Sequence, residues 1–177
     1  SADDAAYHHL AISIAEGLKS LGIKFYSNIN YWRLASNDDH FLFNHIPDVS
    51  PDDCDVVVVS MHWFFHHQTF PHHLFKESRN YSTVYLDRQD GLRTLSWHPD
   101  FRRFDFILKT HFSQKDRYSS NIYPWAFGLT ERVVNEASRS NIDFADRSRK
   151  ILLNFRNKKN AHTVRKNVYR DFGSKLS

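Results

Sequence analysis

Directly after four consecutive valines, the stretch Ser60–His73 (SMHWFFHHQTFPHH) carries five of the chain's twelve histidines. His62 and His66 are four apart, which on a helix sets two imidazoles on one face, as in zinc proteases. The residue after His62 is Trp63, where those enzymes carry a general-base Glu, and no Asp or Glu lies between Met61 and Lys76. The pairs His66–His67 and His72–His73 are adjacent, so their side chains diverge on regular structure. A metal centre is therefore not expected. An imidazole that titrates near neutrality at the end of a strand suits a general base instead, which makes His62 a catalytic candidate. Ser60 and Trp63 stand beside it as substrate contacts, Trp63 with a ring that can stack on a sugar or base. The plainer alternative is that Trp63, Phe64 and Phe65 cap a core while the histidines face water.

A second group follows the next apolar run, in YLDRQDG. Asp87 and Asp90 can hold or deprotonate a hydroxyl, or bind a divalent cation, with Arg88 and Gly91 as neighbouring substrate contacts. The same residue types also make an ordinary turn. A third group lies in ILLNFRNKKNAHTVRK, where Arg156, Lys158 and Arg165 surround an expected helix start near Ala161. Backbone amides at a helix N-terminus attract anions, so these residues are candidates for a phosphate site, although basic clusters are common on solvated faces.

These groups need elements to position them. Leu10, Ile14, Leu18 and Leu21 repeat at helical spacing, with Ala11 and Ala15 alongside, and Gly22 is placed to stop that helix. IKFYS follows as a short expected strand. DCDVVVVSM lacks polar alternation, which predicts a strand covered on both faces. YSTVYLDRQDG, FDFILKTHF and NIYPWAF predict further strands, and RKILLNFRNKK another. Helices are expected over Pro71 to Arg79, with Pro71 in the first turn, over LTERVVNEASRS with Thr130 as N-cap, and over AHTVRKNVYRDFGSKL. Alternation of this kind predicts an α/β fold, a Rossmann-like, mainly parallel open sheet flanked by helices. Ligands of such sheets bind outside the carboxyl ends of the strands, where His62, Asp87 and Asp90 fall. The polar stretch 135–149 is the best domain boundary. Residues 1–147 are expected to form one domain, and 148–177 to open a second or to pack back on the first.

Composition removes several classes. Five glycines, at 17, 22, 91, 128 and 173, leave no dinucleotide fingerprint and no P-loop, and no G-x-S-x-G elbow occurs. Cys54 is the only cysteine, so an internal disulfide and a cysteine-based zinc motif are both excluded. That usage fits a reducing compartment, and a cytoplasmic location is expected. No apolar run approaches the roughly 20 residues that span a bilayer. The net charge of +4 is concentrated between Arg147 and Arg170, which leaves a nucleic-acid surface open without favouring it.

The order of pieces resembles the N-terminal half of a GT-B glycosyltransferase. The similar parts are HHLAISIAEGLKSLGIKFYS, DVVVVSMHW, TVYLDRQDG and YPWAFGLTERVV, and RKILLNFRNKKNAHTVRKNVYRDF looks like the opening of the second domain. The likeness covers most of the chain but is one of pattern, closest to bacterial glycosyltransferase-like proteins of the spore-maturation type. It implies that a first strand lies upstream of Ser1 and that the donor-binding half lies largely beyond Ser177. It also implies transfer of a sugar from a nucleotide-sugar donor to a hydroxyl acceptor. His62, Asp87 or Asp90 would serve as base and Arg156 would help neutralise the leaving diphosphate, with no metal or other cofactor. A metal-dependent phosphoesterase or nuclease is the alternative, and a basic nucleic-acid-binding module the third.

Overall fold

The computed structural model describes residues 9–28, 31–33, 41–43, 45–126 and 128–139, together with Asn167 and Arg170, two isolated helical positions. The chain divides into two compact units, Ser1–Glu136 and Ala137–Ser177. Everything that positions the site belongs to the first. The strand and helix expected over 151–177, with Arg156, Lys158 and Arg165, lie outside the described residues apart from those two helical positions.

The first unit opens with helix α1 (His9–Ser20). Its Ile12 and Ala15 are each 1% exposed, whereas of the expected stripe Ile14 and Leu18 are half-buried and Leu21, past the end of the helix, is 73% exposed. Gly22 ends it with φ +68°, a conformation in which a side chain is strained. The strand expected at IKFYS does not form. Only Ser27 makes a bridge, to His45, because no strand among the described residues offers the rest of that segment a ladder. Strands β1 (Tyr31–Arg33) and β2 (Phe41–Phe43) pair antiparallel by themselves.

The frame of the unit is a four-stranded, all-parallel sheet flanked by helices, as the alternation predicts for a Rossmann-like fold. Its strands are β3 (Val56–Ser60), β4 (Ser82–Asp87), β5 (Phe106–Lys109) and β6 (Ile122–Pro124), and they lie side by side in chain order. Parallel neighbours require a crossover, and crossovers have one hand. A sheet that grows in one direction therefore receives every connection on the same face. The residues agree. Phe64, Phe70, Leu74 and Phe75 come from the β3–β4 connection, Leu95, Phe101 and Phe104 from β4–β5, and Phe112 and Tyr118 from β5–β6. All join one core with Val59, Tyr85, Ile107 and Ile122. Phe70 sits at its centre with ring centroids 5.2 Å from Tyr85, 5.1 Å from Phe104 and 4.9 Å from Phe64.

The register puts Val56, Val58, Val84, Leu86, Phe106, Leu108 and Tyr123 on the opposite face, where Leu86 is only 4% exposed. Val56 is 52% exposed and Val58 48%. The run of valines is thus covered on one face and not, as expected, on both. The β3–β4 connection also differs from expectation. It contains helix α2 (Met61–His67) and then a single 3₁₀ turn at His72–Phe75, in place of a helix through Arg79. Pro71 precedes that turn in an extended conformation, and the chain is extended again by Lys76. Helix α3 (Glu131–Arg139) follows the last strand, and its first amide donates to the Glu16 carboxylate of α1 at 2.7 Å.

The amino edge of the sheet is tied by Asp105. Its carboxylate accepts from Arg79 at 2.7 and 2.9 Å and from the Thr83 amide at 2.7 Å, which fixes β4 against the entry to β5. This ion pair, in which Arg79 Nη2 donates to both carboxylate oxygens, holds the edge opposite the candidate residues.

Candidate functional site at the carboxyl edge of the sheet

Strand β3 turns directly into α2, so its last residue becomes the helix cap. Ser60 accepts from the His62 amide at 3.4 Å, which satisfies one of the free donors of the first turn. This puts His62 in that first turn, half-buried, at the carboxyl end of the strand. Arg88, one residue beyond β4, reaches across to it. The guanidinium Nη2 lies 3.1 Å from both ring nitrogens of His62. A guanidinium only donates, so a ring nitrogen that engages it acts as an acceptor and must be unprotonated. A neutral imidazole has one such nitrogen, so at most one of the two contacts is a hydrogen bond.

Trp63 is half-buried against the core and stacks on His67, ring centroids 4.3 Å apart. Its indole Nε1 is buried with no hydrogen-bond partner among the described residues. His66, His67, His72 and His73 are all exposed. Among the described residues no three His, Cys, Asp or Glu side chains are grouped to hold a metal ion.

The two aspartates of YLDRQDG separate. Asp87 is 1% exposed and Lys109 is 0%. They are register partners at the ends of β4 and β5, on the core face. Lys109 Nζ donates to Asp87 Oδ2 at 3.3 Å and to the Arg93 carbonyl at 3.0 Å. Asp87 Oδ1 accepts from the Gln89 amide at 3.0 Å. Both charges are thus paired and hydrogen-bonded, which burial demands. Asp90 is exposed on the loop, next to Gly91 with φ +96°. Two strand positions before Asp87, the Tyr85 hydroxyl is buried without a partner among the described residues. Burial first, and then the Asp87 charge, push that hydroxyl well above its ordinary range, while Arg88 pulls the other way.

No family model, curated protein or solved structure matches the chain. The site therefore has to be read from its own geometry.

The loops leaving β4 and β5 border an open cleft of about 440 Å³, lined by Leu92, Arg93, Thr94, Ser96, Asp116, Arg117 and Tyr118. None of these residues stands out in the sequence, because each lies in a loop of mixed polarity without a motif. Lys109 was legible in principle. A lysine inside the apolar run FDFILK, one strand on from a buried Asp, carries the signal of an ion pair across a parallel register. Burial and then the flanking Asp53 and Asp55 raise the Cys54 thiol above its ordinary value, which lowers its thiolate fraction. No helix among the described residues is long and apolar enough to cross a membrane.

Proposed function

We propose that the chain is the N-terminal half of a GT-B-type glycosyltransferase that moves a sugar from a nucleotide-sugar donor to a hydroxyl acceptor. The observation that carries this reading is the half-buried His62 at the carboxyl edge of an open parallel sheet, with the Arg88 guanidinium 3.1 Å from its ring. In the proposed reaction the acceptor hydroxyl gives its proton to the His62 imidazole. The acceptor oxygen then bonds to the anomeric carbon as that carbon's bond to the diphosphate oxygen breaks. The nucleoside diphosphate leaves with the electron pair. In this reading Arg88 disfavours the charged imidazolium before the step, and Asp90, exposed on the neighbouring loop, holds the acceptor hydroxyl. Asp87 is committed to Lys109, so the role of base falls to His62.

The histidines that motivate a metal-dependent phosphoesterase give it no ligand set among the described residues. The test is transfer by the full natural polypeptide that carries this sequence, across a panel of UDP- and GDP-sugars. His62→Ala is expected to lower kcat by roughly 10²–10⁴ while leaving the fold intact. Absence of turnover and of binding for every donor removes the reading.

A further inference from the structure

The cleft between the β4 and β5 loops is built for an anion. Its walls carry two guanidiniums, Arg93 and Arg117, both exposed. Neither makes a side-chain hydrogen bond or ion pair with another described residue. An arginine on a solvated surface is usually left to water, but here two of them line one concavity that is braced from several sides. Lys109 Nζ fixes the Arg93 backbone through its carbonyl at 3.0 Å. Tyr118 donates to the Leu92 carbonyl at 3.3 Å and so ties the β5 loop to the β4 loop. The Tyr118 ring also lies on Phe112, with centroids 4.7 Å apart, and both pack on the core. The backbone that carries Arg93 and the residue next to Arg117 are therefore held in place by these contacts.

The donor set selects the anion. Thr94 accepts from the Ser96 amide at 3.3 Å, which leaves its own hydroxyl hydrogen free to donate, and Ser96 adds a second hydroxyl. Two planar forks and two hydroxyls supply more donors than the two oxygens of a carboxylate can accept. Three terminal phosphate oxygens can accept them. Asp116 is the one carboxylate on the wall, so the lining stays net positive by one charge. The volume is that of a small-molecule site, with room for a phosphate and the group attached to it.

We propose that this cleft binds the phosphate of a phosphorylated hydroxyl compound, the acceptor in the transfer described above. The acceptor role rests on the transferase reading, whereas phosphate binding does not. Binding of inorganic phosphate and of glucose 6-phosphate to the full chain is measured by calorimetry, with glucose and glucuronate as comparators. Glucose 6-phosphate is expected to bind more tightly than either comparator. Arg93→Gln and Arg117→Gln should each weaken it by roughly tenfold or more. Arg102→Gln, at an exposed position outside the cleft, should leave it unchanged. The variants are at exposed positions, and thermal unfolding checks that they fold.

No phosphate binding by the folded protein overturns the proposal, as does equal binding of glucuronate or an equal loss in Arg102→Gln. Phosphate binding lost only in the cleft variants, with no sugar transfer by the natural polypeptide, upholds the cleft and removes the transferase reading. Transfer to a phosphorylated acceptor whose KM is unmoved by Arg117→Gln removes the acceptor role.

Discussion

The two faces of the parallel sheet are made from the same strands and share almost nothing else. On one face Tyr85, Ile107 and Lys109 are 0% exposed, and Thr83 and Asp87 are sealed with them. On the other, Val56, Val58, Phe106 and Tyr123 are 42% to 52% exposed, Val84 and Leu108 are half-buried, and only Leu86, at 4%, is sealed. The covered face also holds the polar residues of greatest interest, the Asp87–Lys109 pair. The open face is the more apolar of the two. Burial here follows the side on which the connections run, not the hydrophobicity of the strand. Strands placed in chain order send every crossover to one side, and that side becomes the core whatever its residues are.

Mutations matched across the sheet put this difference at risk. Phe70→Ala removes the ring at the centre of the covered face and should cost about 3–5 kcal/mol in urea unfolding. Lys109→Met leaves the Asp87 carboxylate buried without its partner, for a similar loss of about 3–5 kcal/mol. The double variant Asp87→Leu with Lys109→Met should recover most of it. A double variant no better than the single one would show that the pair organises the loop as well as neutralising a charge.

Tyr85→Phe should lie within about 1 kcal/mol of the wild type at neutral pH, since the hydroxyl it deletes has no partner among the described residues. Its effect appears in alkali. The folded protein holds the Tyr85 proton more tightly than the unfolded chain does, so that contribution is complete below the ordinary tyrosine value of 10.0. It is lost as the pH rises above that value. The phenylalanine variant is expected to lack this loss, and parallel unfolding curves for both proteins between pH 9 and 11 would contradict the burial of the hydroxyl.

Val58→Thr on the open face should change stability by about 0.5 kcal/mol or less. A cost close to that of Phe70→Ala would mean that this face is covered in solution and would collapse the comparison. The smallest effect is expected at the exposed cap before the sheet. Asp53 accepts from the Ser50 hydroxyl at 2.7 Å and from the Ser50 amide at 2.8 Å, which lowers its carboxyl below the ordinary 3.8. The cap is therefore at full strength above that value and fades as the pH falls through the lowered one. Asp53→Asn should be slightly less stable than wild type at neutral pH, and thermal melts of the two should converge in acid.

What the sequence made legible divides along the same line. Helix α1 and the strands β3 to β6 were readable because their signals are local: apolar spacing, β-branched runs, and a glycine where the helix stops. The parallel order followed from alternation. Coverage of the valine run was not readable, because it depends on which way the chain crosses over three times. IKFYS has the composition of a strand but acquires only the Ser27 bridge, since strand formation depends on a partner as well as on propensity. His62 was found from its place after a strand. Arg88 was named beside it, although their contact was not visible in one dimension. The cleft was missed altogether, because Arg93 and Arg117 belong to different loops and meet only through the register of β4 and β5.

The order of the strands has a further consequence, in time. During synthesis β3 leaves the ribosome first, then β4, β5 and β6, and each newly emerged strand lies next to the one before it. Among the described strands of the sheet none must wait for a partner encoded far downstream, and none has to be inserted between two already paired. The sheet can grow by addition at a single edge, with each crossover bringing its own aromatic residues to the covered face as it closes. Non-local pairing is what makes parallel sheets slow to form and prone to aggregate. Here the longest gap to be closed, from Ser60 to Ser82, is spanned by the very segment that carries Phe64 and Phe70 into the core.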